Sequence, residues 1–217
     1  MLQRSEEWFA ARVGYLTASL IYDAVAKTKK GEYYASREKY KAKLVAERLT
    51  GMSLSPDLSR VSAVQWGEST ESRARSAYEF MRDIQVVETG FVPHPFLQMS
   101  GASPDSLIGD DGVLEIKCPN IETHIAYLKA GEIPIEYRYQ MLFQIACTGR
   151  KWGDFVSFDP RLNYENQLLV VRLEPTPTEI AGIEEEAKTF LDEVAADELW
   201  LRNRGKLIVA ENMRIAA

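Results

Sequence analysis

The stretch 103–119, reading S-P-D-S-L-I-G-D-D-G-V-L-E-I-K-C-P, constrains this chain more than any other. Gly109-Asp110-Asp111-Gly112 is a strong turn signal between two short apolar runs, so the segment predicts a β-hairpin. Strand side chains alternate between faces, so in V-L-E-I-K-C the carboxylate of Glu115 and the ammonium of Lys117 share one face while Ile116 points away. Folding at the turn brings Asp105, at the start of one strand, beside Glu115, near the end of the next. Two acids and a lysine then converge on a small volume. Oxygen donors of that kind suit Mg²⁺ or Mn²⁺, and the neighbouring lysine could orient or deprotonate a water. An exposed hairpin with a Glu/Lys pair on its solvent face fits the same short pattern, so the rest of the chain has to decide.

With 217 residues and 46% hydrophobic content, the chain is long enough for one domain with a substantial core, and no Gly/Ser/Pro-rich linker divides it. A single domain over 1–217 is expected. The N-terminus M-L-Q-R-S-E-E-W lacks the apolar core of a signal peptide, and every apolar run is far shorter than the ~18 residues of a membrane span. Cytoplasmic residence, away from membranes, is the expectation. The two cysteines, Cys118 and Cys147, give neither a disulfide framework nor a zinc-type cluster. The formal charge of −6 disfavours general phosphate attraction. The charges are segregated, however: Lys27, Lys29, Lys30, Arg37, Lys39, Lys41 and Lys43 precede an acidic C-terminal part rich in Glu184–Glu186, Asp192, Glu193, Asp197 and Glu198. A basic groove with an acidic back is the corresponding expectation.

Ser5 reads as an N-cap ahead of E-E-W-F-A-A-R, and Thr17 as the opening of a second short helix. Further helices are expected at about 33–49, stopping at Gly51, and at 61–81, 121–129, 137–148 and 177–195. Strands are expected at about 84–92, 98–101, 106–108 and 113–117, and in D-F-V-S-F-D and Q-L-L-V-V-R-L. Residues 203–217 read as a C-terminal tail. Strands packed centrally with helices before and after indicate an α/β (α+β) sandwich with a central mixed sheet.

Four further features have the chemistry of a phosphodiester site. Glu71 lies on the fourth helix, one turn after Trp66-Gly67, where a carboxylate could reach a metal from outside the sheet. Arg12, with Thr17 and Ser19 just beyond, assembles a guanidinium, two hydroxyls and a helix start that could converge on an anion. Gln140 could hydrogen-bond a water or a phosphate oxygen. His94 sits between Pro93 and Pro95, at the end of a strand upstream of Asp105.

Taken in order, the blocks E-W-F-A-A-R-V-G-Y-L-T-A-S at 7–19, W-G-E-S-T-E at 66–71, S-P-D-S-L at 103–107, L-E-I-K-C-P at 114–119, the Tyr137/Gln140 helix and F-D-P-R at 158–161 resemble the lambda-exonuclease family. These are the YqaJ-like viral recombinases, a branch of the PD-(D/E)XK nucleases. The resemblance covers most of the chain. It implies a PD-(D/E)XK core and a phage recombination nuclease that digests linear duplex DNA from the 5′ end, releases mononucleotides and leaves a 3′ overhang. It implies two Mg²⁺ ions, replaceable by Mn²⁺, held by Asp105, Glu115 and the backbone carbonyl of Ile116, with Glu71 contacting the metal site from its helix. Lys117 would hold or activate the attacking water, and Gln140 and Tyr137 would help order it and the scissile phosphate. Arg12, Ser19 and Ser103 match positions that grip a terminal 5′-phosphate, and Val64 matches an apolar wedge that helps part the strands. A ring-shaped homotrimer and a phage single-strand annealing protein as partner are implied as well.

The chain departs from the family pattern in two places. Ser106 stands where glycine is usual after S-P-D, and Val92-Pro93-His94-Pro95 occupies the region where lambda exonuclease has a further metal-binding aspartate. His94 is the metal-capable side chain there, and as a ligand it would lean the site toward Mn²⁺, because imidazole is a softer donor. Two rivals share part of these features: a PD-(D/E)XK endonuclease of restriction or repair type, and a DNA-end-binding module without catalysis.

Overall fold

The computed structural model describes residues 3–54 and 62–215, with the side chains of 62–64, of residue 68 and of 205–215 outside the description. Helix α1 (Glu6–Ala10) leads into the two-residue strand β1 (Leu16–Thr17), a 3₁₀ turn (Ala18–Leu20), and helices α2 (Ile21–Val25), α3 (Ser36–Thr50) and α4 (Ser62–Arg82). Strands β2 (Val86–Val87), β3 (Val92–Pro93), β4 (Ser100–Ala102), β5 (Ser106–Ile108) and β6 (Gly112–Lys117) follow, then α5 (Ile121–Ala130) and α6 (Ile135–Thr148). Strands β7 (Trp152–Phe158) and β8 (Leu168–Leu173) precede the long helix α7 (Pro177–Ile215).

The expected mixed sheet is present, but the strands divide into two. Strands β2-β5-β6-β7-β8 form a five-stranded sheet, in which β6 and β7 run parallel, and β1-β4-β3 form a smaller one, in which β1 and β4 run parallel. The run 84–92, expected as one strand, is broken into β2 and β3, one in each sheet. The chain passes from the small sheet to the large one through Ser103, Pro104 and Asp105, so the S-P-D motif lies at the joint.

The central hairpin follows its sequence closely. β5 and β6 pair with Ser106 opposite Leu114 and Ile108 opposite Gly112, around a turn whose Gly109 adopts φ +49°. Val113, on the odd-numbered face with Glu115, joins a core with Met141, Phe143 and Phe155, while Leu114 and Ile116 join Tyr78, Val156 and Phe158 on the other. Helices α6 and α4 therefore cover opposite faces of β6, as alternation in a doubly covered strand requires. On the α4 side the Tyr78 hydroxyl donates to buried Asp154 Oδ2 at 2.7 Å, and Arg172 clamps the same carboxylate at 2.8 and 2.9 Å. At the far end of β7, Arg161 of the F-D-P-R block holds buried Asp159 and lies over the ring of Trp66 at the start of α4.

Local signals behave as expected at several helix ends. Ser5 caps α1 through its Oγ and the Trp8 N–H at 3.2 Å, and Gly51 ends α3 at φ +69°. Thr17 instead closes β1; its N–H donates to the Tyr40 hydroxyl, and a 3₁₀ turn follows. The tail expected at 203–217 is taken up to Ile215 by α7, which contains no proline beyond Pro177 to stop it.

Part of the basic N-terminal cluster is neutralised within the chain. Lys27 pairs with Glu186, Lys41 with Glu193, and Arg48 approaches Glu198 at 3.8 Å. Arg37, its side chain 3% exposed, holds Glu193 with both terminal nitrogens at 2.5 and 2.9 Å. The acidic face of α7 thus neutralises α3 and its approach. Part of the segregated charge is paired internally, each exposed pair contributing about 0–1 kcal/mol, while Lys29, Lys30 and Lys39 are exposed.

Gly112 is the tightest point of the hairpin: a Cβ there would come within 2.5 Å of the Trp152 ring carbon Cη2 on β7. Gly112→Ala is expected to destabilise the chain by about 1–3 kcal/mol through overpacking. Urea denaturation checks this as a lower midpoint at unchanged slope.

Candidate active site

Two parallel pairings set the site. Because β1 and β4 run side by side in the same direction, the residues that leave them, Ala18 and Ser19 after one and Ser103 and Asp105 after the other, emerge at the same edge. The hairpin then returns β6 antiparallel to β5, which carries Glu115 and Lys117 back to that edge. A cavity of about 230 Å³ opens there. Its lining includes Asp105, Glu115, Lys117 and Gln140 together with Arg12, Ser19 and Ser103, the two sets that the sequence singled out.

Asp105 ties the hairpin to itself. Its Oδ2 accepts from the Ile116 N–H at 2.6 Å and its own N–H donates to the Leu114 carbonyl at 3.1 Å. Among the described residues its Oδ1 accepts no hydrogen bond. Burial, and then the negative charge of Glu115, raise its pKa well above the usual aspartate range.

Glu115 is 1% exposed, yet each of its oxygens is engaged. Oε1 accepts from Gln140 Nε2 at 2.7 Å and meets Lys117 Nζ at 2.6 Å, and Oε2 accepts from Gln144 Nε2 at 2.5 Å. Burial works against the Lys117 ammonium, but Glu115 and Asp105 beside it more than compensate and raise its pKa. The ammonium also lies 4.8 Å from the centre of the Tyr137 ring, which stacks on Phe155. Tyr137 therefore supports Lys117 through its ring face.

The anion-type cluster is assembled as well. Arg12 Nη2 donates to Ser19 Oγ at 3.3 Å, and Ser19 Oγ lies 3.2 Å from Thr17 Oγ1. The Arg12 guanidinium stacks over Trp8 at 3.8 Å, and Trp8 Nε1 donates to Ser103 Oγ at 2.9 Å. Burial draws the Arg12 pKa down to about 10, and among the described residues no carboxylate pairs with it. A desolvated cation flanked by hydroxyls and lacking a counter-charge is suited to an anionic ligand.

Two expected residues are engaged in contacts of their own. Glu71 is held by Arg4 at 2.8 Å and Arg75 at 2.9 Å, so both its oxygens serve ion pairs, while its charge still adds to those that raise the Asp105 pKa. Arg75 also donates to the Oγ of Ser106, the residue that replaces the usual glycine. His94 is not among the residues lining the cavity. It is buried against Phe143, its Nδ1 accepts from the Phe96 and Leu97 N–H groups at 3.2 and 3.1 Å, and its Nε2 lies 3.2 Å from Glu184 on α7. The side chain of Val64 lies outside the described residues.

Sequence reading missed Trp8, Gln144 and the N-terminal residues Gln3 and Arg4. Gln3 Nε2 donates to the carbonyls of Thr89 and Pro104, which lays this segment along the cavity. Gln144 had a readable signal, a second glutamine four residues after Gln140 within the apolar run M-L-F-Q-I-A-C. Gln3 and Arg4 had none.

The donor set fits a hard divalent cation. Asp105 and Glu115 are two carboxylates with a cation-relieved clash between them, and the main chain of Ile116, next to Glu115 on β6, is tied to Asp105 through its N–H. Among the described residues no group of three His, Cys, Asp or Glu side chains gathers to hold a metal. Mg²⁺ is commonly bound in this way, by one or two carboxylates with water and substrate phosphate completing its shell.

Comparison with known proteins gives the chain its family. Residues 7–151 match the YqaJ-like viral recombinase domain. The chain is similar to the solved structure of an alkaline exonuclease (LHK-Exo) from Laribacter hongkongensis, with 43% identity over 94% of this chain and 100% of that one and a TM-score of 0.86. The structure of LHK-Exo in complex with dAMP gives 42% identity, the same coverage and the same TM-score of 0.86. A phage related exonuclease from Haemophilus somnus 129PT, 14% identical over 84% of this chain and 96% of that one with a TM-score of 0.63, shares the fold. A search of curated proteins finds no match. The chain, with its mixed sheets flanked by helices and its S-P-D…E-I-K hairpin, belongs to the YqaJ-like viral recombinase family and has a PD-(D/E)XK nuclease fold.

Proposed function

We propose that this protein is an Mg²⁺-dependent exonuclease that degrades one strand of linear double-stranded DNA from the 5′ end, releasing 5′-mononucleotides and leaving a 3′ overhang. The observation that carries this reading is a single cavity in which the Asp105/Glu115/Lys117 set lies beside the uncompensated Arg12 guanidinium with Ser19 and Ser103. The alkaline exonuclease LHK-Exo, and its complex with a mononucleotide, support it by similarity.

Each group has a distinct task. Arg12, Ser19 and Ser103 bind the terminal 5′-phosphate, which seats the next phosphodiester at the acids and makes an end the preferred substrate. Asp105, Glu115 and the Ile116 carbonyl hold Mg²⁺, as two ions, with Mn²⁺ as a substitute. When bound, the metal supplies Lewis-acid polarisation of the phosphate and lowers the pKa of water. Lys117 and Gln140 orient the attacking water. Its oxygen bonds to phosphorus, the bond from phosphorus to the 3′-oxygen of the terminal nucleotide breaks, and that oxygen leaves with a proton. The remaining strand carries a new 5′-phosphate, so each cleavage regenerates the group that Arg12 recognises. Glu71, freed from Arg4 and Arg75, would supplement the acids from α4, and family resemblance gives Val64 the part of a strand-parting wedge.

Family resemblance further supports a ring-shaped homotrimer closed by heterologous interfaces, and a phage single-strand annealing protein as the partner that coats the overhang. No helix among the described residues is long and apolar enough to cross a membrane. A phage-encoded enzyme acting in the bacterial cytoplasm is the setting that this reading proposes.

Digestion of a duplex labelled separately at each end of each strand tests the reading directly. Mg²⁺-dependent release of mononucleotides from 5′ ends, with a supercoiled circle untouched and EDTA stopping the reaction, is expected. Nicking of the circle would favour an endonuclease, and inertness with retained end binding a non-catalytic module.

Lys117→Ala and Asp105→Ala should each lower turnover by at least about 10²–10⁴-fold, with the circular dichroism spectrum unchanged. Near-normal turnover of either purified variant would remove the site assignment. Arg12→Ala should slow digestion of 5′-phosphorylated ends about ten- to a hundredfold, the worth of one charged hydrogen-bond set, while sparing 5′-hydroxyl ends. Equal loss on both substrates would contradict the phosphate-binding role.

A further inference from the structure

We infer that Gln144 is a positioning residue that fixes the plane of the Glu115 carboxylate, an inference that rests on the proposed role of Glu115 as a metal ligand. Gln144 is wholly buried on α6, one turn beyond Gln140, and donates from Nε2 to Glu115 Oε2 at 2.5 Å. Gln140 makes the matching bond to Oε1 at 2.7 Å. Two amides one helical turn apart thus hold one carboxylate oxygen each, and rotation about the bond to the carboxylate carbon would break both.

The two glutamines are not equivalent. Gln140 lines the cavity and can reach a bound molecule, whereas Gln144 is not among the lining residues and touches the chemistry only through Glu115. Its other amide atom shows what it is for. A carboxylate only accepts hydrogen bonds, so the Gln144 nitrogen must face Glu115 and the amide oxygen must face away. That oxygen, Oε1, is buried without a hydrogen-bond partner among the described residues. A buried carbonyl left unpaired is unfavourable, and an apolar side chain of similar volume would avoid it. Packing alone therefore gives no reason for a glutamine here. A donor aimed at Glu115 does, in the manner of the outer groups that orient the ligands of metal sites.

The test compares the native protein with Gln144→Met and Gln144→Leu, which keep the volume and remove the donor. Thermal unfolding is followed without metal, Mg²⁺ and Mn²⁺ binding by titration calorimetry without DNA, and kcat and KM on linear duplex. Both variants should unfold within a few degrees of the native protein, bind the metal about 10- to 100-fold more weakly, and lose kcat at a KM for DNA ends that is unchanged. Excess metal should restore part of the lost rate. Native metal affinity and native kcat in the folded variants would overturn the inference and leave the metal reading standing. Failure of both variants to fold without metal would place Gln144 in the fold and also overturn it. A native protein that binds neither ion would remove the metal reading itself, and this inference with it.

Discussion

Much of the structure is arranged around the burial of a single carboxylate. Glu115 sits in the middle of β6 at 1% exposure, where an ionised acid is costly unless its hydrogen-bonding capacity is met. Meeting it recruits three elements. Lys117 reaches back from two residues along the strand, and α6 must present Gln140 and Gln144 on the face that also carries Met141 and Phe143 to the core. Once α6 is docked in that way, Tyr137 at its start falls over the Lys117 ammonium. The packing of one helix on one strand therefore fixes the geometry of the whole acid–base cluster.

Asp105 supplies the second constraint, because it belongs to the joint between two sheets. The parallel pairing of β1 with β4 delivers Ser19 and Ser103 to the edge where the hairpin delivers its acids, and Arg12, from the turn after α1, reaches Ser19 there. Neither sheet alone would bring an anion-type cluster beside an acidic one. In the proposed mechanism this adjacency converts a general phosphodiester-cleaving centre into an end-directed one. The Arg4–Glu71–Arg75 chain, extended to Ser106, then links the N-terminal segment and α4 to the same joint.

The hairpin was legible because every level of its sequence agreed: alternation, turn glycine and charged face all specified one register, and β5 matches the expected 106–108. Helices bounded by strong punctuation, such as Gly51 after α3, were legible for the same reason. The two-residue strand β1 was not, because its partner β4 lies some eighty residues away and local propensity cannot register such a pairing. The charge pattern misled in an informative way. Lysines and glutamates segregated along the chain suggested a basic groove, but their helices pack on each other, and Arg37 is spent on Glu193. His94 shows the complementary limit: residue type permits metal binding, while its contacts with Phe96, Leu97, Phe143 and Glu184 assign it to packing between α6 and α7.

The central claim is that the Asp105 and Glu115 carboxylates together form a divalent-metal site. Anomalous diffraction from crystals soaked in Mn²⁺ tests it most directly. The account predicts an anomalous peak between these two carboxylates, beside the Ile116 carbonyl, that disappears in Asp105→Ala crystals. A protein that digests DNA with Mn²⁺ yet shows no peak there, or binds the ion only elsewhere, would contradict it.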